Sequence, residues 1–272
     1  MPALTNLQKS LVTQFVAATG ANDKTALRFL KNANFKLDVA ADTYFASNPD
    51  VGGVSSAARE ATLEKMFDDL RDPSADPKDS IAAESTMAYL TSLGVNMENA
   101  EMFVALELVQ APSFGEITRK GFVDGWKATR VNPSKSAHQQ YIRTRIAHLS
   151  SDPVYFKKVY RHTFIACKEP EQRALTLENA LVFWDMIFSP PGRPWKTASH
   201  DWLELWKQFL GEKWTRSVNR DMWNQTLEFA NKSMADETLS FWSEDGAWPG
   251  VIDEFVAWFR EKYPVDAMET DN

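Results

Sequence analysis

The chain has 272 residues, and its 30 Lys and Arg against 37 Asp and Glu give a formal net charge of −7. Because phosphate binding needs a basic surface, this acidic balance argues against nucleic acid as the main partner. The length allows one large domain or two smaller ones, and the hydrophobic fraction of 44% is that of a globular protein with a substantial core.

Residues 1–47 predict three short helices. Thr5 is a suitable N-cap for the first helix and Asp23 for the second, because both side chains can accept hydrogen bonds from free backbone N–H groups. Gly20 is expected to end the first helix, and the third ends before Pro49. Three helices of this size bury only a small core, so the unit should be marginally stable on its own.

A linker is predicted at 48–58, where Pro, Gly and Ser interrupt a stretch without apolar periodicity. Helical periodicity resumes at Arg59, and the second domain is predicted at 59–264, before an acidic tail at 265–272. Because strand and hairpin signals are missing, we predict an all-α fold, in which a small three-helix domain precedes a larger all-helical domain. After a first apolar stripe that ends at Leu70, further helices are expected at 81–93, 98–111, 118–129, 133–149, 153–167, 176–188, 199–210, 219–234 and 248–263.

The polar segment after Leu70 resembles the start of a calcium-binding EF-hand loop. Such a loop needs oxygen ligands at positions 1, 3 and 5, Gly at position 6 and a bidentate Glu at position 12. Counted from Asp72, position 6 is Pro77 and position 12 is Ala83, while Glu84 comes one residue late. We therefore expect a helix–loop–helix of degenerate EF-hand character, or a plain loop, without a bound metal ion.

No residue pattern marks an active site, so no catalytic residue and no cofactor are predicted. The four His residues form no helical metal-binding pair, and phosphate-binding loops and nucleophile elbows are missing. The single cysteine, Cys167, excludes a disulfide framework and favours a small core residue over a nucleophile. It also favours an intracellular location, in the cytoplasm or the nucleus. No stretch approaches about 18 apolar residues, so no membrane span is expected.

The last fifty residues contain the most informative surface. The helix at 248–263 has an apolar stripe, and Asp253 and Glu254 fall outside that stripe, toward solvent. Asp221 lies at the start of the preceding helix, so two neighbouring helices can build an acidic face around a small residue, Ala247. The alternative is an ordinary solvated helix face, with Asp221 as the N-cap of its helix.

Several stretches of the sequence resemble the defective-in-cullin-neddylation family. The segment GAWPGVIDEFVAWFR at 246–260, with DMWN at 221–224 before it, resembles the signature end of that family. FVDGW at 122–126 and the segment 164–188 resemble the same family, and 24–45 resembles its ubiquitin-associated (UBA-like) domain. The resemblance covers nearly the whole chain in the right order.

This resemblance implies a UBA-like domain at 1–47 and an all-helical potentiating-neddylation domain at 59–264. It also implies a non-catalytic, scaffold-type ligase component that forms no covalent intermediate. Its implied partners are the C-terminal winged-helix region of a cullin and the neddylation conjugating enzyme, which carries an acetylated N-terminal helix. Holding the charged conjugating enzyme near a cullin lysine would promote transfer of the ubiquitin-like modifier through proximity.

Two surfaces of the family can be transferred to this sequence by the resemblance. The cullin-binding patch corresponds to Asp221, Ala247 and Asp253. The carboxylates of the two aspartates suit a basic cullin surface. The second surface is an apolar groove for the N-terminal helix of the conjugating enzyme, although Ala166 replaces an aromatic residue of the family. The alternative is that the groove residues are simply core. The matching residues are Met102, Ala105, Leu106, Val109, Ile117, Phe183 and Met186.

The UBA-like domain is expected to bind ubiquitin weakly through residues around Ala18, Thr19 and Gly20, or to act only as a tether. Three other functions stay open at this point. The chain could be a ubiquitin-binding adaptor whose large domain has an unrelated partner, an enzyme assembled from distant residues, or a degenerate calcium sensor. Charge reversal at Asp221 or Asp253 would leave cullin binding intact in the first of these cases.

Overall fold

The computed structural model describes residues 5–19, 21–47, 56–169 and 171–264. The chain divides into two compact units, Met1–Lys65 and Met66–Asn272, and the division falls within one helix, Ser56–Leu70. That helix begins at Ser56, inside the segment whose composition predicts a linker, because Ser-Ala-Ala at 56–58 can join the helix that follows. The remainder of the predicted linker, and the tail at 265–272, lie outside the described residues.

The part of the first unit before Ser56 contains three described helices, α1 (Asn6–Thr19), α2 (Asp23–Asn32) and α3 (Leu37–Ser47). One aromatic residue from each helix meets at the centre, where the ring of Tyr44 lies edge-on to Phe15 at 5.5 Å and to Phe29 at 5.0 Å. Because these rings bury a large area for their number, they supply most of the small core.

The helix caps of the first unit are partly as predicted. Thr5 is the N-cap of α1, since its Oγ1 accepts from the backbone N–H of Gln8 at 3.2 Å, and the Gln8 side chain accepts in return from Thr5 N at 3.1 Å. The prediction that Asp23 caps α2 is wrong. The cap is its neighbour Asn22, whose side chain accepts from Thr25 N at 2.9 Å, while Asp23 is the first helical residue.

The rest of the described chain contains ten helices and four two-residue strands. The helices are α4 (Ser56–Leu70), α5 (Ala83–Ser92), α6 (Glu101–Leu108), α7 (Arg119–Thr129), α8 (Lys135–His148), α9 (Pro153–Cys167), α10 (Leu177–Ile187), α11 (Trp202–Lys213), α12 (Arg220–Ala235) and α13 (Gly250–Lys262). The strands are β1 (Ser80–Ile81), β2 (Ile117–Thr118), β3 (Ala174–Leu175) and β4 (Val218–Asn219). No described helix is long and apolar enough to cross a membrane.

The short strands join the helices into paired helix–loop–helix units. Strand β1 pairs antiparallel with β2 through Ile81 and Ile117, which links the α4–α5 loop to the α6–α7 loop. Strand β3 pairs antiparallel with β4 through Leu175 and Val218, which links the α9–α10 loop to the α11–α12 loop. The fold is therefore all-helical with EF-hand-like pairing, as predicted, although the strands themselves are too short for any periodicity in the sequence.

The loop that resembles an EF-hand uses its carboxylates internally. Asp76 accepts hydrogen bonds from Asp72 N at 2.9 Å, Ala82 N at 2.8 Å and Ser85 Oγ at 2.6 Å. Asp72 accepts from the backbone and the hydroxyl of Ser74, and these two bonds lower the pKa of the Asp72 carboxyl. The described residues contain no group of three or more His, Cys, Asp or Glu arranged to hold a metal ion.

A buried aromatic cluster fixes α12 against its neighbours. The hydroxyl of Tyr160 on α9 donates to the carbonyl of Trp223 on α12 at 2.8 Å and accepts from Trp184 Nε1 on α10 at 2.9 Å. Trp223 Nε1 donates in return to the carbonyl of Tyr160 at 2.9 Å, and the rings of Trp184 and Trp223 stack at 5.2 Å. Because every polar atom of this cluster has a partner, it specifies one arrangement of the three helices. The start of α12, which carries Asp221, is positioned by it.

Candidate functional site

Asp221 lies exposed in the first turn of α12. The N-cap of that helix is Asn219, whose side chain accepts from Met222 N at 2.8 Å. The alternative that Asp221 is the N-cap is therefore wrong. A carboxylate in the first turn is favoured by the helix dipole, so Asp221 can remain exposed and charged at no cost to the helix.

Ala247 is exposed in the connection between α12 and α13. Its two neighbours hold this part of the connection in place. The ring of Trp248 lies edge-on to Phe229 at 5.9 Å and to Phe241 at 6.1 Å. At Gly246 an added Cβ would lie 2.8 Å from the carbonyl oxygen of Ser243, so a larger residue would require the backbone to shift. Ala247 thus presents a small side chain from a fixed backbone.

Asp253 lies half-buried in the first turn of α13. Its Oδ1 accepts a hydrogen bond from Trp242 Nε1 at 2.9 Å, and the guanidinium of Arg260 lies 4.9 Å from the centre of the Trp242 ring. The indole therefore orients the carboxylate. Trp242 could not be identified from the sequence, because no local spacing connects a tryptophan of the connection with a carboxylate on the next helix.

The start of α13 differs by two residues from the prediction. The helix begins at Gly250, so Pro249 is the N-cap and Trp248 precedes the helix, whereas the apolar spacing predicted a start at Trp248. The φ of Pro249 is −59° but its ψ is 140°, an extended value that no helical residue adopts. This start leaves Ala247 outside the helix. The interval from Ala247 to Asp253 is not that of two residues on one helix face, so Ala247 can share a surface with Asp253 only from outside the helix.

The starts of α12 and α13 meet at a pocket of about 190 Å³. Asp221 lines this pocket together with Glu254, which lies next to Asp253, and with Pro249, which lies two residues after Ala247. The pocket thus places Asp221 near the N-terminus of α13, where Ala247 precedes the helix and Asp253 lies in its first turn, although neither Ala247 nor Asp253 lines the pocket itself. The full lining is Trp214, Arg216, Ser217, Asn219, Asp221, Met222, Pro249, Gly250, Val251 and Glu254.

The residues assigned to the apolar groove divide into two groups. Phe183 and Met186 are half-buried on α10, and the ring of Phe183 lies edge-on to Phe103 of α6 at 6.1 Å. The other five are part of the core, as is Ala166, which is 1% exposed. Those five residues are therefore core residues in this structure, and of the seven assigned residues only Phe183 and Met186 have accessible side-chain surface. The buried five are Met102, Ala105, Leu106, Val109 and Ile117.

An exposed aromatic side chain lies in the loop between two of the assigned groove residues. Phe114 is 55% exposed in the connection between α6 and β2, with Val109 before it and Ile117 after it. Phe114 is not among the groove residues predicted from the sequence, although a large apolar residue in a loop between two of them is a usable signal. Met87 on α5 is exposed to 47%, which makes it another accessible apolar side chain of the second unit.

The residues assigned to ubiquitin binding are only partly described. Thr19 is buried, and its Oγ1 donates to the carbonyl of Phe15 at 2.7 Å and accepts from Ala21 N at 3.2 Å. Its hydroxyl therefore serves the end of α1. Gly20, and the side chain of Ala18, lie outside the described residues.

Burial shifts the pKa values of three core groups toward their neutral forms. Burial raises the pKa of the Cys167 thiol, which is the opposite of what a nucleophile needs. Burial lowers the pKa of His138 to about 4, and burial together with the charge of Lys158 lowers that of His162 to about 4. Both imidazoles are therefore neutral at pH 7.

Comparisons with known proteins show the family of the chain. The pattern of a cullin-binding family matches residues 137–258, and that of a UBA-like domain matches residues 9–50. "Defective in cullin neddylation protein 1" of Pyricularia oryzae is 52% identical over 269 residues, which cover 95% of each chain. The protein of the same name from Yarrowia lipolytica is 31% identical and covers 92% of this chain and 96% of its own. Human "DCN1-like protein 5" is 29% identical over 68% of this chain and 73% of its own. The chain belongs to the defective-in-cullin-neddylation family.

Proposed function

We propose that this protein is a scaffold-type ligase component in cullin neddylation, which binds a cullin and the neddylation conjugating enzyme together. One observation carries the proposal. The match to the cullin-binding family spans 137–258, which contains Asp221 in the first turn of α12, Asp253 in the first turn of α13 and Ala247 just before α13.

The cullin side of the proposal rests on charge and shape. Asp221 is exposed and Asp253 is oriented by Trp242, so both carboxylates are available to basic groups of the C-terminal winged-helix region of a cullin. Ala247 is exposed in the connection before α13, and its small side chain would let that surface approach closely. Opposite charges across such an interface accelerate association and exclude partners of the wrong sign.

The conjugating-enzyme side rests on apolar surface. An amphipathic helix binds by laying its apolar face against a hydrophobic groove. Phe183 and Met186 on α10, together with the exposed Phe114, supply side chains for such a face. The five buried groove residues can contribute only as the packed floor beneath them. The acetylated N-terminal helix of the conjugating enzyme is the proposed occupant.

The proposed mechanism needs no chemistry on this chain. Binding both partners raises the effective concentration of the charged conjugating enzyme near the acceptor lysine and restricts its orientation. No cofactor, no metal ion and no covalent intermediate are part of the mechanism. Weak ubiquitin binding by the first unit, and residence in the cytoplasm or the nucleus, complete the proposal.

A binding experiment tests the cullin patch directly. The charge-reversed variant Asp221→Lys/Asp253→Lys and the wild type are compared for binding to a cullin C-terminal fragment, with circular dichroism to verify folding. The matched control is Asp69→Lys/Glu261→Lys, which changes the net charge equally at exposed positions of α4 and α13. We expect the wild type and the control to bind, and the patch variant to lose binding.

The other outcomes have defined meanings. Equal binding by all three proteins would place the cullin contact elsewhere on the surface. No binding by the wild type would overturn the scaffold function and favour a ubiquitin-binding adaptor, which the same three proteins would then test against immobilised ubiquitin.

A further inference from the structure

The charge of the chain is unevenly distributed around α8. Residues 125–151 contain five Lys and Arg and no Asp or Glu, in a chain whose net charge is −7. This stretch covers the end of α7, the connection that follows and the whole of α8. Protein surfaces ordinarily mix both signs, so a basic stretch of this length on an acidic protein indicates a surface that attracts an anionic partner.

Two basic residues are held at the same end of the α7–α8 pair. Arg130 is the left-handed C-cap of α7, with a φ of 59°, and Lys135 is the first residue of α8. The rings of Trp126 on α7 and His138 on α8 stack with their centres 3.5 Å apart and their planes 1° from parallel. This stack fixes the end of one helix against the start of the other, and the two cations with them.

A third basic residue extends the same surface along α8. Arg143 follows Lys135 by eight positions, and Gln139 lies midway between them, so the three residues share one edge of the helix. The Gln139 side chain donates to the carbonyl of Ser92 at 2.8 Å, which anchors this edge next to the end of α5. We name Arg130, Lys135 and Arg143 together the α8 basic edge.

The α8 basic edge is exposed and its charges are not used within the described part of the chain. All three side chains are exposed, and among the described residues none of them forms an ion pair. Basic residues of the flanking helices differ in this respect, since Lys120 pairs with Asp124 and Lys158 pairs with Glu107.

Helix stability does not account for these charges either. The first turn of α8 contains Lys135 and no acidic residue, although the helix dipole favours a carboxylate there and disfavours a cation. A sequence optimised only for the helix would have the opposite charge at this position. The placement is explained if the cation serves an interaction with another molecule.

We propose that the α8 basic edge docks an acidic protein surface of the modifier-charged conjugating enzyme. This inference rests on the proposed function, in which the acidic patch at α12 and α13 is occupied by a basic cullin surface. A basic cullin surface would be repelled by the α8 basic edge, so the edge fits the other member of the assembly. Contact at the α8 basic edge orients the conjugating enzyme that carries the modifier, while the N-terminal helix of that enzyme tethers it in the apolar groove.

The same charges are less suited to a nucleic acid. Three cations would neutralise few phosphates, and the net charge of −7 repels a polyanion at long range. An acidic protein surface needs only a few complementary charges at defined positions, which a rigid helix edge provides.

The test compares two triple variants of the full chain. Arg130→Glu/Lys135→Glu/Arg143→Glu reverses the edge, and Lys65→Glu/Arg173→Glu/Lys196→Glu reverses three exposed cations elsewhere with the same change in net charge. The probe is the conjugating enzyme joined to its modifier by an amide in place of the thioester. Its affinity is measured at 50 and 200 mM salt, with the cullin C-terminal fragment measured in parallel.

At low salt, we expect the affinity of the edge variant for the modifier-linked conjugating enzyme to be at least about tenfold lower than that of the control variant. The difference should be smaller at high salt. Cullin binding should be equal in all three proteins. A milder variant, Arg130→Gln/Lys135→Gln/Arg143→Gln, should show an intermediate loss, which separates charge from misfolding. Equal affinities of the edge and control variants for the modifier-linked conjugating enzyme would overturn the inference. Failure of the wild type to bind the cullin fragment would instead overturn the proposed function.

Discussion

Trp242 Nε1 lies 2.9 Å from Asp253 Oδ1, although the two residues belong to different elements of the chain. The indole projects from the α12–α13 connection, and the carboxylate from the first turn of α13. A half-buried carboxylate that accepts such a bond keeps one orientation, and a fixed orientation lowers the entropy lost when a partner binds. The connection therefore contributes to the acidic patch through a residue that does not belong to the patch itself.

Removing that hydrogen bond should weaken cullin binding without removing a charge. Trp242→Phe keeps an aromatic ring next to Arg260 and deletes the indole N–H together with the five-membered ring that carries it. We expect a roughly fivefold to tenfold weaker affinity for the cullin fragment, because a hydrogen bond to a charged group contributes about 1.5 kcal/mol. Trp258→Phe is the matched control, since Trp258 Nε1 also donates to a carboxylate, that of Glu212, at 2.9 Å. Equal affinities of the two variants by surface plasmon resonance would contradict a role for Trp242.

A second prediction concerns a buried carboxylate in the core of the second unit. The Glu107 side chain on α6 is 3% exposed and pairs with Lys158 of α9 at 2.8 Å. Lys158→Met would leave this carboxylate buried without its cation, so we expect a loss of about 1–3 kcal/mol in the free energy of unfolding. The neighbouring Lys157 pairs with Glu228 where both side chains are 38% exposed, and Lys157→Met should cost less than about 1 kcal/mol.

Urea denaturation of the two variants and the wild type measures this difference. The double variant Lys158→Met/Glu107→Gln should recover part of the stability, because a neutral amide is cheaper to bury than an unpaired carboxylate. Equal losses in Lys158→Met and Lys157→Met would show that burial of Glu107 does not strengthen its ion pair.

Much of the fold could be predicted from the sequence because helical spacing is a local signal. Asn22 and Asp23 are both good caps, so composition cannot decide between neighbours, and the choice of Asp23 was wrong by one residue. The four strands have two residues each, too few for an alternating pattern. Core and groove residues share one apolar spacing, which is why Leu106 and Phe183 could not be distinguished before their burial was known. The contact of Trp242 with Asp253 depends on tertiary packing alone.

The stability of the protein should depend on pH through two buried histidines. Burial lowers the pKa of His138 and of His162 from 6.5 to about 4, and the charge of Lys158 adds to the shift at His162. Below pH 6.5 the unfolded state therefore binds more protons than the folded state, so the free energy of unfolding falls as the pH drops from 6.5 toward 4. Each histidine should account for about 2 kcal/mol at pH 5.

Thermal unfolding at pH 7.5, 6 and 5 tests this dependence. His162→Leu removes a titrating group and should flatten the decline between pH 6.5 and 4, whatever its effect at pH 7.5. His148→Gln is the control, because His148 is exposed at the end of α8. A decline of the same steepness in His162→Leu and His148→Gln would show that acid destabilisation has another origin.

The last prediction distinguishes charge from shape at the acidic patch. If Asp221 and Asp253 act through long-range attraction, raising the salt concentration from 50 to 300 mM should slow association with the cullin fragment severalfold and leave dissociation nearly unchanged. Asp221 should contribute more of this effect, since it is exposed while Asp253 is half-buried and bonded to Trp242. Asp221→Asn should therefore reduce the salt dependence of the association rate, and Asp253→Asn should mainly raise the dissociation rate. Association rates that do not change with salt would mean that Ala247 and the shape around it, rather than charge, select the cullin.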